Sequence, residues 1–156
     1  MKLRYSPTSP YVRKVLIVAI ETGQAGRIEN VPTDVSGPAA DLVEQNPLGK
    51  VPCLITDAGM TVFDSPVICE YLDGNHSGHK LFPGPGDGRW RALRQQAIGD
   101  GILDAAILAR AESNRPADKV HQPWIDRQRK AMYRSMDLLE KEADTLGGPL
   151  TIGQIA

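Results

Sequence analysis

Three short stretches carry groups whose types and spacing can do chemistry: Ser9-Pro10, Lys50-Val51-Pro52 and Asp64-Ser65-Pro66. Proline cannot donate to a sheet ladder and biases the residue before it toward extended geometry. Val51-Pro52 is therefore expected to open a strand with the Val51 backbone N–H and C=O unpaired. That is a docking edge for a short extended peptide, and a cis Pro52 would hold the Val51 backbone outward at a fixed angle. Ser9 and Ser65 each precede a proline where a helix is expected to start, so their hydroxyls lie among orphan backbone N–H groups that favour an anion. Taken singly, each feature has a plainer role. Ser9 and Ser65 serve as N-caps worth about 1 kcal/mol each, Val51-Pro52 as a structural turn, and Lys50 as a solvated charge. Their joint occurrence, in the order and spacing that one extended tripeptide needs, is what favours a binding site.

The elements that must position these groups follow from the pattern. Lys2 to Tyr5 reads as a strand. Ser9 caps a helix with Pro10 at its first position, Val12, Val15, Leu16, Ala19 and Ile20 on one face, and Gly23 as its stop. Arg27 to Val31 is expected as a second strand parallel to the first, since a helix of this length is the usual crossover between parallel strands. Turn residues Asp34, Ser36, Gly37 and Pro38 lead into a short helix from Ala39 to Glu44. Pro52 to Thr56 and Thr61 to Phe63 form a hairpin with Gly59 in the turn. Ser65-Pro66 starts a last helix with Val67, Ile68, Tyr71 and Leu72 on its apolar face. The order is βαβαββα.

Asn75 to Gly88 is dense in Gly and Pro and marks a boundary. The expected division is an α/β domain over 1–75, a linker over 76–88 and an all-helical domain over 89–156. Two long helices are expected there, Arg89 to Glu112 and Asp118 to Leu146, packed antiparallel through Leu93, Ala97, Ile102, Ala106 and Ala109 and through Trp124, Met132, Met136 and Leu139. Thr151 and Gln154 fit a capping box. A helix is thus expected to begin where the sequence stops, and because a nucleus without a body gains too little to form alone, the native chain is expected to continue beyond Ala156.

Bulk properties narrow the partners. With 156 residues, 41% of them apolar, the chain can bury a real core. A formal net charge of -1 with mixed signs gives no basic face for nucleic acid and no polybasic membrane anchor. No apolar run approaches a membrane span, and Met1-Lys2 leads straight into strand-like Leu3-Arg4-Tyr5, unlike a signal peptide, so a cytoplasmic protein is expected. Cys53 and Cys69 lie in apolar stretches without ligand spacing and are expected as buried reduced thiols. His76, His79 and His121 show no ligand pattern either, so no metal is expected.

A βαβαββα domain with Ser-Pro at its first helix, Asn46-Pro-Leu-Gly-Lys-Val-Pro52 before the third strand and Phe63-Asp-Ser-Pro-Val-Ile-Cys-Glu-Tyr-Leu72 at the last helix resembles a glutathione transferase. The start Ser6-Pro-Thr-Ser-Pro-Tyr-Val-Arg-Lys-Val15 and the helix segment Asp100-Gly-Ile-Leu-Asp-Ala105 are similar to uncharacterised bacterial serine-type members. The resemblance covers nearly the whole chain. It implies a thioredoxin-like domain that holds glutathione, an all-α domain that completes a pocket for a small electrophile, and a homodimer, in a detoxifying transferase that uses glutathione as co-substrate.

On that resemblance Val51 pairs its backbone with the cysteinyl unit of glutathione, a small β-augmentation, and Lys50 meets the glycine carboxylate. Ser65 and the helix N–H groups receive the γ-glutamyl carboxylate, while Asp64 attracts the α-ammonium. Ser9 donates to the thiolate. Holding a thiol as thiolate at neutral pH takes roughly 2 to 3 kcal/mol of preferential stabilisation. One hydrogen bond to a charged group supplies about 1.5 to 3 kcal/mol, and a helix N-terminus adds about 0.3 to 1 kcal/mol. Ser9 therefore suffices as an electrostatic donor, with the attacking atom on glutathione. Tyr5 is the rival donor, in the position of the tyrosine used by other classes; Ser9 is favoured because its helix start also brings backbone donors. Asp104 lies where some relatives supply an acid across a dimer interface, and it reads equally well as an exposed helix carboxylate. Val35 to Asp41 holds no basic or aromatic side chain for a second contact to the glycine carboxylate. The alternative to an enzyme is a glutathione-binding or regulatory protein with the same fold and little catalysis.

Overall fold

The computed structural model describes residues 1–35, 37 and 40–156. Ser36, Pro38 and Ala39, expected in the turn and at the start of the second helix, lie outside the described residues. The chain divides into two compact units, Met1–Phe82 with Ile155 and Pro83–Gln154 with Ala156. The division falls within the Gly/Pro-rich stretch, although the helix that follows already includes Asp87 and Gly88.

The first unit runs β1 (Lys2–Tyr5), α1 (Pro10–Glu21), β2 (Glu29–Pro32), α2 (Ala40–Gln45), β3 (Cys53–Ile55), β4 (Thr61–Val62) and α3 (Ser65–Gly74). Its sheet order is β2-β1-β3-β4. β2 is parallel to β1, with Lys2 opposite Glu29. β3 is antiparallel to β1, with Arg4 opposite Cys53, and β4 is antiparallel to β3, with Leu54 opposite Val62. A 3-10 turn over Ala25–Arg27 takes Arg27, the residue expected to begin β2, and that strand starts two residues later than the sequence pattern places it. Gly59, at φ +82°, supplies the hairpin turn, which only glycine enters without steric penalty.

Side chains of the sheet and of α1 and α3 make the core: Leu3, Val15, Val18, Ala19, Leu54, Ile68, Cys69 and Leu72 are fully buried. The face of α1 is rotated slightly from the expected one. Val18 and Lys14 are buried whereas Ile20 is 64% exposed, since the inward stripe runs through Val12, Val15, Val18 and Ala19 and Ile20 stands about 100° around the helix from Ala19. In the last turn of α3, Asp73 is buried and accepts the backbone N–H groups of Leu81 (2.7 Å) and Phe82 (3.1 Å), and it pairs with His76 Nε2 at 3.0 Å. Its two oxygens thus fold the segment after α3 back onto the unit, with a charged acceptor meeting N–H groups that would otherwise be buried unpaired.

The second unit contains α4 (Asp87–Ser113), α5 (Gln122–Lys141) and Ile152–Gln154 of the short α6 (Ile152–Ile155). Arg94 near the start of α4 pairs with Glu142 just past α5, and Glu112 near the end of α4 accepts the His121 N–H just before α5 at 2.8 Å, so the two helices run antiparallel. α5 begins four residues later and ends five earlier than expected. Pro123 is favourable in a first turn, where its missing N–H is not needed, and 3-10 turns take Ala117–Lys119 and Ala143–Leu146. The inward face of α4 is also displaced: Ala92, Gln95, Gln96, Ala105 and Ala109 are buried, while Leu93, Ile102 and Ala106 are half-buried and Ala97 is exposed. Ile125 and Gln128 are the buried residues of α5. The Gln154 side chain accepts the Thr151 N–H at 2.6 Å, as the capping pattern predicts. Gly153 lies so close to α4 that an ideal Cβ on it would sit 2.8 Å from Gln95 Cβ and 2.9 Å from the Ala92 carbonyl oxygen.

Candidate functional site

Strand register places the three stretches at one end of the first unit. β1 ends at Tyr5, one residue past the Arg4 that faces Cys53 at the start of β3, and β4, running opposite to β3, ends at Val62 beside Leu54. The residues that follow β1, precede β3 and follow β4 therefore leave the sheet at the same end. These are the Ser6–Ser9 loop, Lys50-Val51-Pro52 and Phe63-Asp64. Both α1 and α3 start here, so the positive ends of two helix dipoles face this end together.

Ser9 is the N-cap of α1, with extended backbone and Pro10 at the first helical position. Its Oγ accepts the Val12 N–H at 3.3 Å, and its own N–H donates to the Ser6 carbonyl at 3.1 Å. The cap uses a lone pair of the hydroxyl and leaves its proton to donate, so capping and donation to an anion are compatible in one group. Ser6 and Thr8 hydroxyls lie 3.2 Å apart in the same loop. Tyr5, the rival donor, is half-buried at the end of β1, and its carbonyl accepts the Thr33 N–H at 2.9 Å.

Val51 is half-buried, Lys50 is exposed, and the Val51–Pro52 peptide is cis. Among the described residues neither the N–H nor the C=O of Val51 is engaged by another backbone group. β3 itself opens at Cys53, one residue past Pro52. The Cys53 thiol is fully buried, and burial pushes its pKa up against a smaller opposing pull from the Arg4 guanidinium. It is held as a neutral thiol, and no thiolate chemistry belongs to it.

The start of α3 differs from the sequence reading in one respect. Asp64 is the N-cap and Ser65 is the first helical residue, with Pro66 second. Proline is accommodated at either of the first two positions, because neither N–H has an intrahelical partner. Asp64 makes no side-chain capping bond and is exposed, so its carboxylate faces solvent at this end. Ser65 is 2% exposed. The Phe63–Asp64 peptide is also cis.

Two residues missed by sequence reasoning hold the site in shape. Asn46 is 1% exposed and bonds across its own loop to Lys50 and Leu48. The Asn-Pro-Leu-Gly turn chemistry was the signal that could have found it. Arg4, on β1, bonds Gln45 Oε1 at 2.8 Å and pairs with Asp41, tying α2 to the sheet; nothing local in the sequence marks it. Asp104 lies on α4 in the second unit and is exposed.

Residues 8–75 match the family described as Glutathione S-transferase, N-terminal domain. The chain is 38% identical over 141 residues to an uncharacterised GST-like protein, YibF, of Escherichia coli strain K12, covering 90% of this chain and 68% of that protein. It is 39% identical over 83 residues to a stringent starvation protein A homolog of Coxiella burnetii, covering 53% of this chain and only 38% of that protein. Among solved structures, a glutathione transferase family member from Pseudomonas fluorescens Pf-5, crystallised with bound glutathione, superimposes with a TM-score of 0.95 at 41% identity, over 99% of this chain and 77% of that one.

Proposed function

The chain belongs to the glutathione transferase family, with a thioredoxin-like N-terminal domain and a helical C-terminal region, and from that membership we propose that it binds glutathione at the shared end of β1, β3 and β4. The bound thiol is held as thiolate for attack on a small electrophile or reduction of a peroxide. The observation that carries this reading is the register that gathers the Ser9 hydroxyl, the unpaired Val51 backbone and the start of α3 at one end of one sheet. Val51 pairs with the cysteinyl backbone and Lys50 meets the glycine carboxylate. Ser65 with the first N–H groups of α3 takes the γ-glutamyl carboxylate, Asp64 the α-ammonium, and Ser9 the sulfur. Opposite charges of the ligand are received by separate groups, which gives the tripeptide one orientation.

Titrating the thiolate absorbance of protein-bound glutathione tests the reading. Wild type should show thiolate at neutral pH, Ser9→Ala should lose it, and Tyr5→Phe should keep it. Loss in Tyr5→Phe with retention in Ser9→Ala would transfer the role to Tyr5. A relative named for stringent starvation rather than for transferase chemistry favours a second reading, a glutathione-binding or regulatory protein with little turnover. Retention on immobilised glutathione without a thiolate signal would mark that case.

The protein is further proposed to act as a cytoplasmic homodimer in detoxification. α4 carries Trp90, Ile107 and Leu108 at 67%, 40% and 45% exposure, and the first unit exposes Met60 and Val67 beside β4. Exposed apolar side chains of this kind are available to an interface between two copies of the chain. Leu108→Glu should shift the sedimenting species from dimer toward monomer; a wild type that sediments as a monomer at every concentration would end this part of the proposal.

A further inference from the structure

The Lys50–Val51 peptide group is directed by one buried side chain. Asn46 Nδ2 donates to the Lys50 carbonyl at 2.8 Å, and Asn46 Oδ1 accepts the Leu48 N–H at 3.0 Å. The amide orientation follows from chemistry, because a backbone N–H can only donate and must face the oxygen. The backbone of Asn46 is fixed as well. Its N–H reaches the Leu42 carbonyl at 2.6 Å, its carbonyl accepts the Gly49 N–H at 2.8 Å, and Gly49 takes the positive φ of +61° that closes the turn. Upstream, α2 is anchored to β1 through Arg4, Gln45 and Asp41. Asn46 is therefore a rigid post at the base of the loop.

A trans peptide is planar, with its C=O and N–H pointing in opposite directions. The Lys50–Val51 peptide is trans. Drawing its carbonyl onto Asn46 turns the Val51 N–H away from the loop interior, and a hydrogen bond to that carbonyl also polarises the amide and strengthens its N–H as a donor. We propose that Asn46 is a positioning residue that aims the Val51 N–H at the ligand backbone. This rests on the glutathione reading given above and deepens it: the grip on the cysteinyl unit is set by a side chain that never touches the ligand.

The test compares Asn46→Asp, which keeps the acceptor for Leu48 and replaces the donor to Lys50 with a repelling oxygen, and Asn46→Ala, which removes both. In protein shown by its urea midpoint to be folded, glutathione affinity should fall about tenfold in the Asp variant, the loss of one good hydrogen bond. The loss should appear in the KM for glutathione more than in kcat, because the Val51 N–H meets the ligand backbone and not the sulfur. Affinities within about twofold of wild type in both variants, or a weakening that tracks only the unfolded fraction, would overturn the proposal. If wild type itself fails to bind glutathione, the reading of the site falls. The positioning claim is then decided in the free protein, by whether the Lys50 carbonyl carbon and Val51 amide nitrogen resonances move in Asn46→Asp. Movement there supports it, and unchanged shifts overturn it.

Discussion

Ser9 is proposed to do two jobs with one hydroxyl, and the two can be separated by substitution. The structural job is the cap: Oγ accepts the Val12 N–H at 3.3 Å, beyond the usual N–H···O range, so its loss should cost about 0.5 to 1 kcal/mol. The chemical job is donation to the thiolate, worth about 1.5 to 3 kcal/mol. At about 1.4 kcal/mol per factor of ten, Ser9→Ala should lower the thiolate-to-thiol ratio of bound glutathione by about ten- to a hundredfold while moving the urea midpoint only slightly. Ser9→Asp divides the jobs. An aspartate caps as well as serine and complements the helix dipole, so stability should hold, but its charge faces the sulfur and should abolish the thiolate. Ser9→Thr keeps both the lone pair and the proton and should keep both properties. The assay pairs thiolate absorbance against pH with urea unfolding for each variant. A Ser9→Asp protein that still ionises bound glutathione would refute the reasoning, as would an unchanged thiolate midpoint in Ser9→Ala.

Two further outcomes follow from the packing and the charges of the helical unit. Gly153→Ala places a methyl 2.8 Å from Gln95 Cβ and 2.9 Å from the Ala92 carbonyl oxygen, neither of which can rotate away. Overpacking of about 1 to 3 kcal/mol should exceed the roughly 0.5 to 1 kcal/mol that alanine gains over glycine in a helix, so the urea midpoint should fall; an unchanged or raised midpoint would contradict the close approach. The Glu112 carboxyl is held below its ordinary value, chiefly by the His121 N–H and then by Arg115. A folded-state value below the unfolded one means that its contribution is present above the ordinary glutamate range and is lost as pH falls through the folded value. Glu112→Gln should therefore be less stable than wild type at neutral pH, and the difference should vanish in acid. A difference that persists in acid would assign the effect to something other than the charge.

The order of elements and the loops that carry the candidate residues were legible because they rest on local chemistry. Ser9-Pro10 and Gly23 bracket α1, Val51-Pro52 precedes β3, and Gly59 turns the hairpin, each through backbone rules that act within a few residues. Errors arose where a tertiary partner overrides the local signal. Gln95 and Gln96 occupy buried positions on α4, where an apolar periodicity was sought; Gln95 is satisfied by Thr145 Oγ1 at 3.2 Å, far along the chain. Proline permits either of two helix positions, so Ser65-Pro66 did not reveal that Asp64 is the cap. The clamps at Asn46 and Arg4 are invisible to periodicity, since a buried polar side chain is explained only by the groups that meet it.

The two rims of the four-stranded sheet bear on how the protein behaves when crowded. β2 forms one rim, opens with the exposed charge of Glu29 and closes at Pro32, which has no N–H to offer; β4 forms the other and is two residues long. A neighbouring chain seeking to extend the sheet finds a charged, proline-ended strand on one side and almost no ladder on the other, two devices that blunt edge-to-edge growth. Both rims thus carry features that discourage edge-to-edge growth, while the proposed pairing backbone at Val51 lies ahead of the inner strand β3, off the rims altogether.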